Sequence, residues 1–174
     1  MSLMLFRNYK KIISFVTVFI ISISVVTRVY AVSSIMTWHL VDSGKHLDYD
    51  GDSSYMSHFT SATTRWNAYK SGVIRKDSLL TVRDVYISDV DEVDGAAALT
   101  WPHPTRKITM NTYHLSGYVS ATITNIATHE FGHALGLDHN MTSDVMSHNI
   151  SSVITIRPLT NNDKHLYDDS YARY

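Results

Sequence analysis

Apolar positions in the first half of the chain follow two different periods. The segment 37–42 (TWHLVD) predicts a first strand, and the polar segment 48–54 (DYDGDSS) predicts a turn that can cap a helix. In 55–70 (YMSHFTSATTRWNAYK), helical spacing places five side chains on one face, namely Phe59, Ala62, Thr63, Trp66 and Tyr69. The segment 78–89 (SLLTVRDVYISD) alternates like a strand, and its inward side chains are expected to be Leu80, Val82, Val85 and Ile87.

The second half continues this mixture of strands and helices. Its predicted elements are a turn and extended stretch at 91–104 (DEVDGAAALTWPHP), a strand at 106–113 (RKITMNTY), a helix from about Ser120 to Leu137, and a closing helix at 159–174. The closing helix opens with Thr160 and Asp163 at the spacing of a capping box, with Asp in place of the usual Glu. Strands mixed with three helices indicate an α+β fold.

Residues 1–31 have the features of a secretory signal peptide. Basic residues precede an apolar run at 12–26 (IISFVTVFIISISVV), and the small-residue stretch VYA ends at Ala31. The run is about 15 residues long, short of the ~20 that cross a bilayer as a helix. We therefore expect cleavage after Ala31, export, and a single mature domain at 32–174. An uncleaved membrane anchor is the alternative, since Thr27–Tyr30 can lengthen the apolar segment.

The charge balance changes which partners are expected. The chain carries 15 Lys and Arg against 16 Asp and Glu, and the signal peptide holds four of the basic residues and none of the acidic ones. The remaining domain keeps 11 basic residues and a net charge of about −5, which argues against nucleic acid as a partner. We expect a monomer with no stable membrane association after signal cleavage. Since the chain has no cysteine, its stability depends on packing and on any bound metal.

Candidate catalytic and metal-binding residues are concentrated in the segment 127–148 (ATHEFGHALGLDHNMTSDVMSH), which contains four of the ten histidines. His129 and His133 are four residues apart on the predicted helix, so they share a face and can bind one zinc ion at ~2.0–2.1 Å each. Glu130 is rotated by ~100° from His129, which takes it out of the ligand set but leaves it within reach of a water molecule at the metal. The sequence therefore predicts Glu130 as a general base.

A third ligand requires the helix to end. Gly136 can adopt the left-handed conformation that terminates helices, and the chain can then turn to bring His139 to the metal. Three protein nitrogens leave the fourth position for water, which is the arrangement of a catalytic zinc site. The complete pattern, H-E-x-x-H-x-x-G-x-x-H, has five fixed letters and is highly specific. Gly132, inside the helix, is interpreted as room for close packing against a strand.

The segments HEFGHALGLDH and SDVM together resemble the zinc site and Met-turn of the metzincin peptidases, most closely those of the matrixins and their small bacterial relatives. A looser resemblance covers most of residues 37–168. It implies a metzincin-type catalytic domain with a twisted, mostly parallel sheet, an antiparallel edge strand, an active-site helix, a Met-turn and a C-terminal helix. It also implies that Met146 forms an apolar floor beneath the zinc ion, and that the protein is a secreted zinc endopeptidase.

The resemblance further implies where a protein or peptide substrate binds. An extended segment before the active-site helix should bind the peptide as an added antiparallel strand, and both Ala96–Thr100 and Ile108–Thr112 fit this role. Asn125 stands where matrixins place a residue of the S1′ pocket, and the loop 148–157 should form the outer wall of that pocket. His148 takes a position at which some metzincins have a tyrosine that acts as a switchable ligand, so an oxyanion contact from His148 is a further interpretation.

Two alternatives stay open. A structural calcium ion could bind the acidic turn formed by Asp89, Asp91, Glu92 and Asp94, although a solvated turn is the better account and nothing else supports calcium. The second alternative is a metzincin fold that binds zinc without cleaving peptides and serves as a secreted interaction module. The intact Glu130 argues against that alternative, because loss of this residue is the simplest way to lose catalysis.

Overall fold

Five strands and four helices make up the part of the chain that the structure describes. The computed structural model describes residues 34–79 and 81–174, so the predicted signal peptide at 1–31 and the predicted core residue Leu80 lie outside the described residues. The strands are β1 (Leu47–Gly51), β2 (Ile74–Lys76), β3 (Val85–Val90), β4 (Ala98–Trp101) and β5 (Lys107–Asn111). The helices are α1 (Met56–Asn67), α2 (Thr112–Leu115), α3 (Ser120–Ala134) and α4 (Asn161–Tyr171), with one 3-10 turn at Ile150–Ser152. None of the described helices is long and apolar enough to cross a membrane.

The strands form one sheet in the order β2-β1-β3-β5-β4. Neighbouring strands are parallel except for β4 and β5, which pair antiparallel with Thr100 opposite Ile108. This architecture confirms the predicted α+β fold with a mostly parallel sheet and one antiparallel edge strand. It also leaves β4 at the edge of the sheet.

The first strand lies where the sequence predicted a turn, so the prediction for 48–54 is partly wrong. Leu47 and Tyr49 of β1 are buried in the core, and Asp48 between them is buried as well. Asp48 is tolerated because Arg75 of β2 donates to both of its carboxylate oxygens, at 2.8 and 2.7 Å. The acidic composition concealed this strand, since its polar position is satisfied by a partner far along the chain.

The strand predicted at 37–42 is wrong. This segment runs beside the C-terminal end of α3, where the N–H of Leu40 donates to the carbonyl of Ala134 at 2.8 Å. Just before it, the N–H of Met36 donates to the carbonyl of Gly136 at 2.8 Å. The segment therefore satisfies carbonyls at a helix end, which have no partner within the helix, rather than those of a neighbouring strand.

Only the second half of the strand predicted at 78–89 is a strand. Val85 and Ile87 of β3 are buried as predicted, whereas Val82 is 84% exposed and lies in the loop before β3. The sequence did not predict β2, because three residues are too few to show an alternating pattern.

Helix α1 packs against α3 through large aromatic side chains. Phe59 and Trp66 are fully buried, and the ring of Phe59 meets that of Phe131 with centroids 4.9 Å apart. The indole nitrogen of Trp66 donates to the carbonyl of Thr128 at 2.9 Å. The apolar face predicted for this helix is therefore confirmed in its central part, whereas Tyr69 lies beyond the helix end and is 37% exposed.

Helix α4 begins at the predicted capping box. The hydroxyl of Thr160 accepts from the N–H of Asp163 at 3.2 Å, and the carboxylate of Asp163 accepts from the N–H of Thr160 at 2.9 Å. The shorter side chain of Asp thus completes the reciprocal pair that Glu usually makes.

Candidate active site

Three histidine side chains converge at the C-terminal end of α3. His129 and His133 lie one turn apart on the helix, with ring centroids 4.5 Å apart. His139, from the loop after the helix, brings its ring centroid to 5.1 Å from that of His129 and 4.7 Å from that of His133. One nitrogen from each ring lies within 4.8 Å of the other two. Three imidazole nitrogens gathered in this way fit one zinc ion.

The chain reaches His139 because α3 ends in a glycine turn. Gly136 has a φ of 87°, in the left-handed region that glycine adopts without steric penalty. Its N–H donates to the carbonyl of His133 at 2.8 Å, and the N–H of Leu137 donates to the carbonyl of Gly132 at 2.9 Å. These two bonds form a Schellman motif, which confirms the predicted role of Gly136 in ending the helix.

Backbone carbonyls orient two of the three rings. Nδ1 of His129 lies 2.8 Å from the carbonyl of Val145, and Nδ1 of His133 lies 2.9 Å from the carbonyl of Leu137. Because a carbonyl can only accept, each Nδ1 carries the hydrogen and each Nε2 is left with a lone pair for a metal. Burial lowers the pKa of His129 well below its ordinary value and also lowers the pKa of His133. Both rings are therefore neutral, as metal ligands must be.

Glu130 lies beside this cluster and is only 5% exposed. Burial raises the pKa of its carboxyl group to about 7, and a hydrogen bond from Thr100 acts in the opposite direction. The hydroxyl of Thr100 donates to Oε2 at 2.6 Å. A carboxyl group with a pKa near neutrality can both accept and release a proton at physiological pH. The contact from Thr100 was not predicted, because the sequence placed this residue only within a segment for substrate.

Met146 is fully buried against the face of α3 at Gly132. A Cβ atom at Gly132 would lie 2.2 Å from Sδ of Met146 and 3.3 Å from the ring of Trp66. The expected packing of Gly132 against a strand is therefore wrong, since its neighbours are these two side chains. The carboxylate of Asp163 accepts from the N–H groups of Val145 and Met146 at 3.0 and 3.1 Å. The capping box of α4 thus also fixes the turn that carries Met146.

A cleft of about 440 Å³ opens over the histidine cluster. Its lining includes the three histidines, Glu130, the segment Ala96–Thr100, Ile126 of α3, and Ile150 and Ser151 from the 3-10 turn. Of the two segments predicted to bind an extended peptide, Ala96–Thr100 lines the cleft and includes most of β4. Ile108–Thr112 consists mainly of β5, which is paired on both sides. Of these two segments, only the first offers a free strand edge beside the cleft.

Asn125 is fully buried and anchors the loop after the 3-10 turn rather than lining the cleft. Its amide nitrogen donates to the carbonyl of Thr155 at 2.8 Å, and its amide oxygen accepts from the N–H of Arg157 at 3.0 Å. Arg65 of α1 joins this contact by donating to the hydroxyl of Thr128 at 2.6 Å and to the carbonyl of Arg157. Direct contact of Asn125 with a substrate stays a prediction. Sequence patterns did not point to Arg65, because an arginine on a helix is ordinarily exposed.

His148 is exposed and lines the cleft. Its ring stacks on that of His139, with centroids 3.6 Å apart and planes inclined by 23°. The structure therefore places His148 next to the third histidine, in the region where the sequence expected it. A contact between His148 and a substrate oxygen stays a prediction.

A second group of acidic side chains lies at the opposite end of β1 from Gly51. The side-chain oxygens of Asp42, Asp48 and Asp84 lie within 4.8 Å of one another, and Arg75 is bound to Asp48. Burial raises the pKa of Asp84 to about 6. This group contains none of the residues of the acidic turn at 89–94, for which calcium was the alternative, and calcium binding stays unsupported.

The fold and the three-histidine site together define the class of protein, a zinc metallopeptidase of the metzincin type. Among solved structures, the crystal structure of archaemetzincin from Methanopyrus kandleri is similar, with a TM-score of 0.52 and 14% sequence identity. The match covers 76% of this chain and 99% of that chain. At this identity the likeness concerns the fold alone. None of the curated proteins matches the sequence significantly.

The particular family follows from the sequence itself. The model of the matrixin family matches residues 38–172, which is most of the chain. The protein therefore belongs to the matrixin family of peptidases. This membership and the histidine cluster confirm the predicted zinc cofactor and the predicted class of zinc metallopeptidase.

Proposed function

We propose that this chain is a secreted zinc endopeptidase in which Glu130 acts first as general base and then as general acid. The observation that carries the proposal is the position of the Glu130 carboxyl group. It is buried, it lines the cleft with the three histidines, and it accepts a hydrogen bond from Thr100 of the edge strand β4. A proton acceptor, a set of metal ligands and a free strand edge therefore meet in one cleft.

The side chains of His129, His133 and His139 would hold the zinc ion through one nitrogen each. When bound, zinc lowers the pKa of water to about 7 and polarises a carbonyl oxygen. Glu130 accepts the proton of the water that attacks the peptide carbonyl and then passes this proton to the leaving amine. Because the proton leaves with the amine, the carboxyl group returns to its starting state and no covalent enzyme intermediate is needed.

The edge strand β4 favours an extended peptide as substrate. Its neighbour in the sheet is β5, and its other side is free to pair with an added strand next to the cleft. Pairing between main chains uses the backbone N–H and C=O groups that every residue except proline carries, and it needs no free chain end. This mode of binding supports cleavage within a chain, and so an endopeptidase.

Export is proposed from the sequence of residues 1–31, with cleavage after Ala31. The basic start, the short apolar run and the small residue at the end support this proposal. We further propose that the exported domain acts as a monomer without stable attachment to a membrane.

The test compares the full chain with its Glu130→Gln variant, each produced in a host that exports proteins. The mass of the exported protein shows whether residues 1–31 are removed. Each zinc-loaded form is then incubated with an unfolded protein, and the fragments are identified by mass. We expect fragments from the wild type and at least ~100-fold slower cleavage by the variant, as for loss of a general base.

The same experiment can contradict the proposal. If both forms bind zinc stoichiometrically and neither cleaves, the chain is not an active peptidase. That result would favour the alternative function, a secreted zinc-binding interaction module of metzincin fold.

A further inference from the structure

One hydroxyl group links the edge strand to the carboxyl group of the cleft. Within β4, Leu99 and Trp101 are 44% and 45% exposed, whereas Ala98 is buried, so the strand alternates and Thr100 is directed towards α3. The hydroxyl of Thr100 lies 2.6 Å from Oε2 of Glu130 and 3.1 Å from the backbone carbonyl oxygen of the same residue. Both contacts thus join one strand residue to one helix residue.

The geometry decides which oxygen of Glu130 is available for reaction. A hydroxyl has a single hydrogen, and an ionised carboxylate is a stronger acceptor than a carbonyl, so the hydrogen is directed to Oε2. In the part of the chain that the structure describes, Oε1 has no such partner. Since burial keeps bulk water from replacing this bond, the single contact from Thr100 restrains the rotation of the carboxyl group.

We infer that Thr100 is a positioning residue for Glu130, which it holds so that Oε1 is the oxygen that takes the proton. This inference rests on the proposed function, because it concerns the residue proposed as general base. It assigns a second role to β4 beyond pairing with substrate: the strand that aligns the peptide also aligns the base.

The two acceptors of the Thr100 hydroxyl suit both states of Glu130 during the reaction. While the carboxyl group is ionised, the hydroxyl donates to Oε2. Once Glu130 holds the proton on Oε1, Oε2 is the carbonyl oxygen of the carboxylic acid and can still accept from the hydroxyl, and the backbone carbonyl at 3.1 Å is a second acceptor within its reach. Valine has nearly the same shape as threonine and can make neither bond, whereas serine can make both.

The experiment measures kcat and KM of the zinc-loaded protein, from the full chain, for the wild type and two variants. In Thr100→Val we expect kcat to fall about 10- to 100-fold, the range for loss of a hydrogen bond to a charged catalytic group. We expect KM, zinc content and melting temperature to stay close to those of the wild type. In Thr100→Ser we expect kcat to recover to within about threefold of the wild type, because the hydroxyl is restored.

The control is Thr109→Val, the same substitution on the adjacent strand β5. Among the described residues, the hydroxyl of Thr109 makes only long contacts, 3.4 Å to the indole nitrogen of Trp101 and 3.5 Å to the carbonyl of Leu99, so kcat should not change. A crystal structure of Thr100→Val gives a readout independent of activity, and we expect the carboxyl group of Glu130 to adopt a different rotamer.

Three results would overturn the inference. The first is wild-type kcat in Thr100→Val, and the second is an equal loss in the valine and serine variants. The third is a loss of kcat that is accompanied by loss of zinc or of thermal stability, which would mean that Thr100 only holds the strand to the helix. A wild type that cleaves nothing would instead contradict the proposed function, so the two failures are distinguishable.

Discussion

Gly132 packs closely against Met146 because it has no Cβ atom. A Cβ built at this position would lie 2.2 Å from Sδ of Met146. This close approach explains why a glycine is tolerated inside α3, although glycine in a helix costs ~1 kcal/mol relative to alanine. The residue lies one position before His133, so a displacement of Met146 would act on the helix turn that carries this histidine.

We expect Gly132→Ala to destabilise the protein despite its better helix propensity. The gain of up to ~1 kcal/mol in propensity is opposed by an overpacking cost of about 1–3 kcal/mol, because Met146 is fully buried and must be displaced. Urea unfolding of both proteins measures the difference. Gly117→Ala is the control, since a Cβ there would meet no atom closer than 3.8 Å. A Gly132→Ala variant more stable than the wild type would show that Met146 moves freely.

Asp84 is expected to make stability fall as the pH rises from about 4 to about 6. Burial raises the pKa of its carboxyl group to about 6, above the ordinary value of 3.8, so the folded state binds its proton more tightly than the unfolded state does. The contribution of Asp84 to the free energy of unfolding is therefore fully present below about pH 4 and is lost as the pH rises through the folded-state pKa. In Asp84→Asn this decline should disappear, and the amide oxygen can still accept from the N–H of Asp48.

The measurement is the free energy of unfolding in urea across this pH range for the wild type and Asp84→Asn. Because other groups also titrate, the informative quantity is the difference between the two curves. We expect the free energy of unfolding of the variant to increase relative to that of the wild type as the pH rises. A difference that does not change with pH would contradict the raised pKa.

At the scale of elements, the three longer helices and the edge strand were predictable from the sequence, whereas the start of the sheet was not. The short helix α2 was also missed, since the strand predicted at 106–113 ends at Asn111 and α2 begins at Thr112. Helix α3 and the capped helix α4 carry strong local signals in their apolar spacing and end residues. Strand β1 carries a misleading signal, because Asp48 is buried through its pairing with Arg75, a residue distant in sequence. A local sequence pattern does not show which distant residue will pair with a polar side chain.

The residues of the site divide in the same way, into those that a local sequence pattern predicts and those that depend on contacts between distant elements. The three histidines and Glu130 were predicted because their spacing on one helix and one turn encodes their geometry. Thr100 and Arg65 were not, because each contacts α3 from another element and no spacing within the sequence records that contact. Sequence patterns therefore identify the residues of the motif. The structure adds the residues that contact Glu130 and its helix from other elements.

The loop after the 3-10 turn depends on Asn125 of α3, and we expect Asn125→Ala to loosen it. The substitution removes two partly buried hydrogen bonds, one to the carbonyl of Thr155 and one from the N–H of Arg157, and so removes the side chain that holds both backbone groups. Loss of about 1–3 kcal/mol in unfolding free energy is expected. Because the 3-10 turn that precedes this loop lines the cleft through Ile150 and Ser151, the set of peptide bonds cleaved in an unfolded protein should also broaden, which fragment mapping by mass can show.

Thr122→Val is the matched control for this loop. It removes one hydrogen bond from the same helix to the same segment, that of the Thr122 hydroxyl to the carbonyl of Val153 at 2.9 Å, and leaves Asn125 in place. We expect a smaller loss of stability and an unchanged cleavage pattern. Equal effects of the two substitutions would mean that Asn125 has no special part in shaping the cleft.

At the scale of the whole molecule, the histidine cluster brings together parts of the chain that are separated in sequence. α3 supplies two ligands and the following loop supplies His139, while the carbonyl of Val145 orients His129. Val145 is in turn held by Asp163 of α4. A metal ion bound by His129 would therefore be linked, through the contacts of Val145, to the last helix as well as to α3.

Removal of zinc should lower the melting temperature by on the order of 10 °C. A ligand present at about 1,000 times its dissociation constant adds ~4 kcal/mol to the folded state, and 1 kcal/mol corresponds to about 2–4 °C for a domain of this size. Calorimetry with and without a chelator measures the shift.

Two neighbouring histidines provide the decisive comparison, because His139 and His148 stack with ring centroids 3.6 Å apart. If His139 is the third ligand, His139→Ala should lose most of the zinc-dependent shift, whereas His148→Ala should keep it. The opposite outcome would move the third ligand to His148 and would require the loop after Gly136 to bind zinc in a different way from the one that the motif predicts.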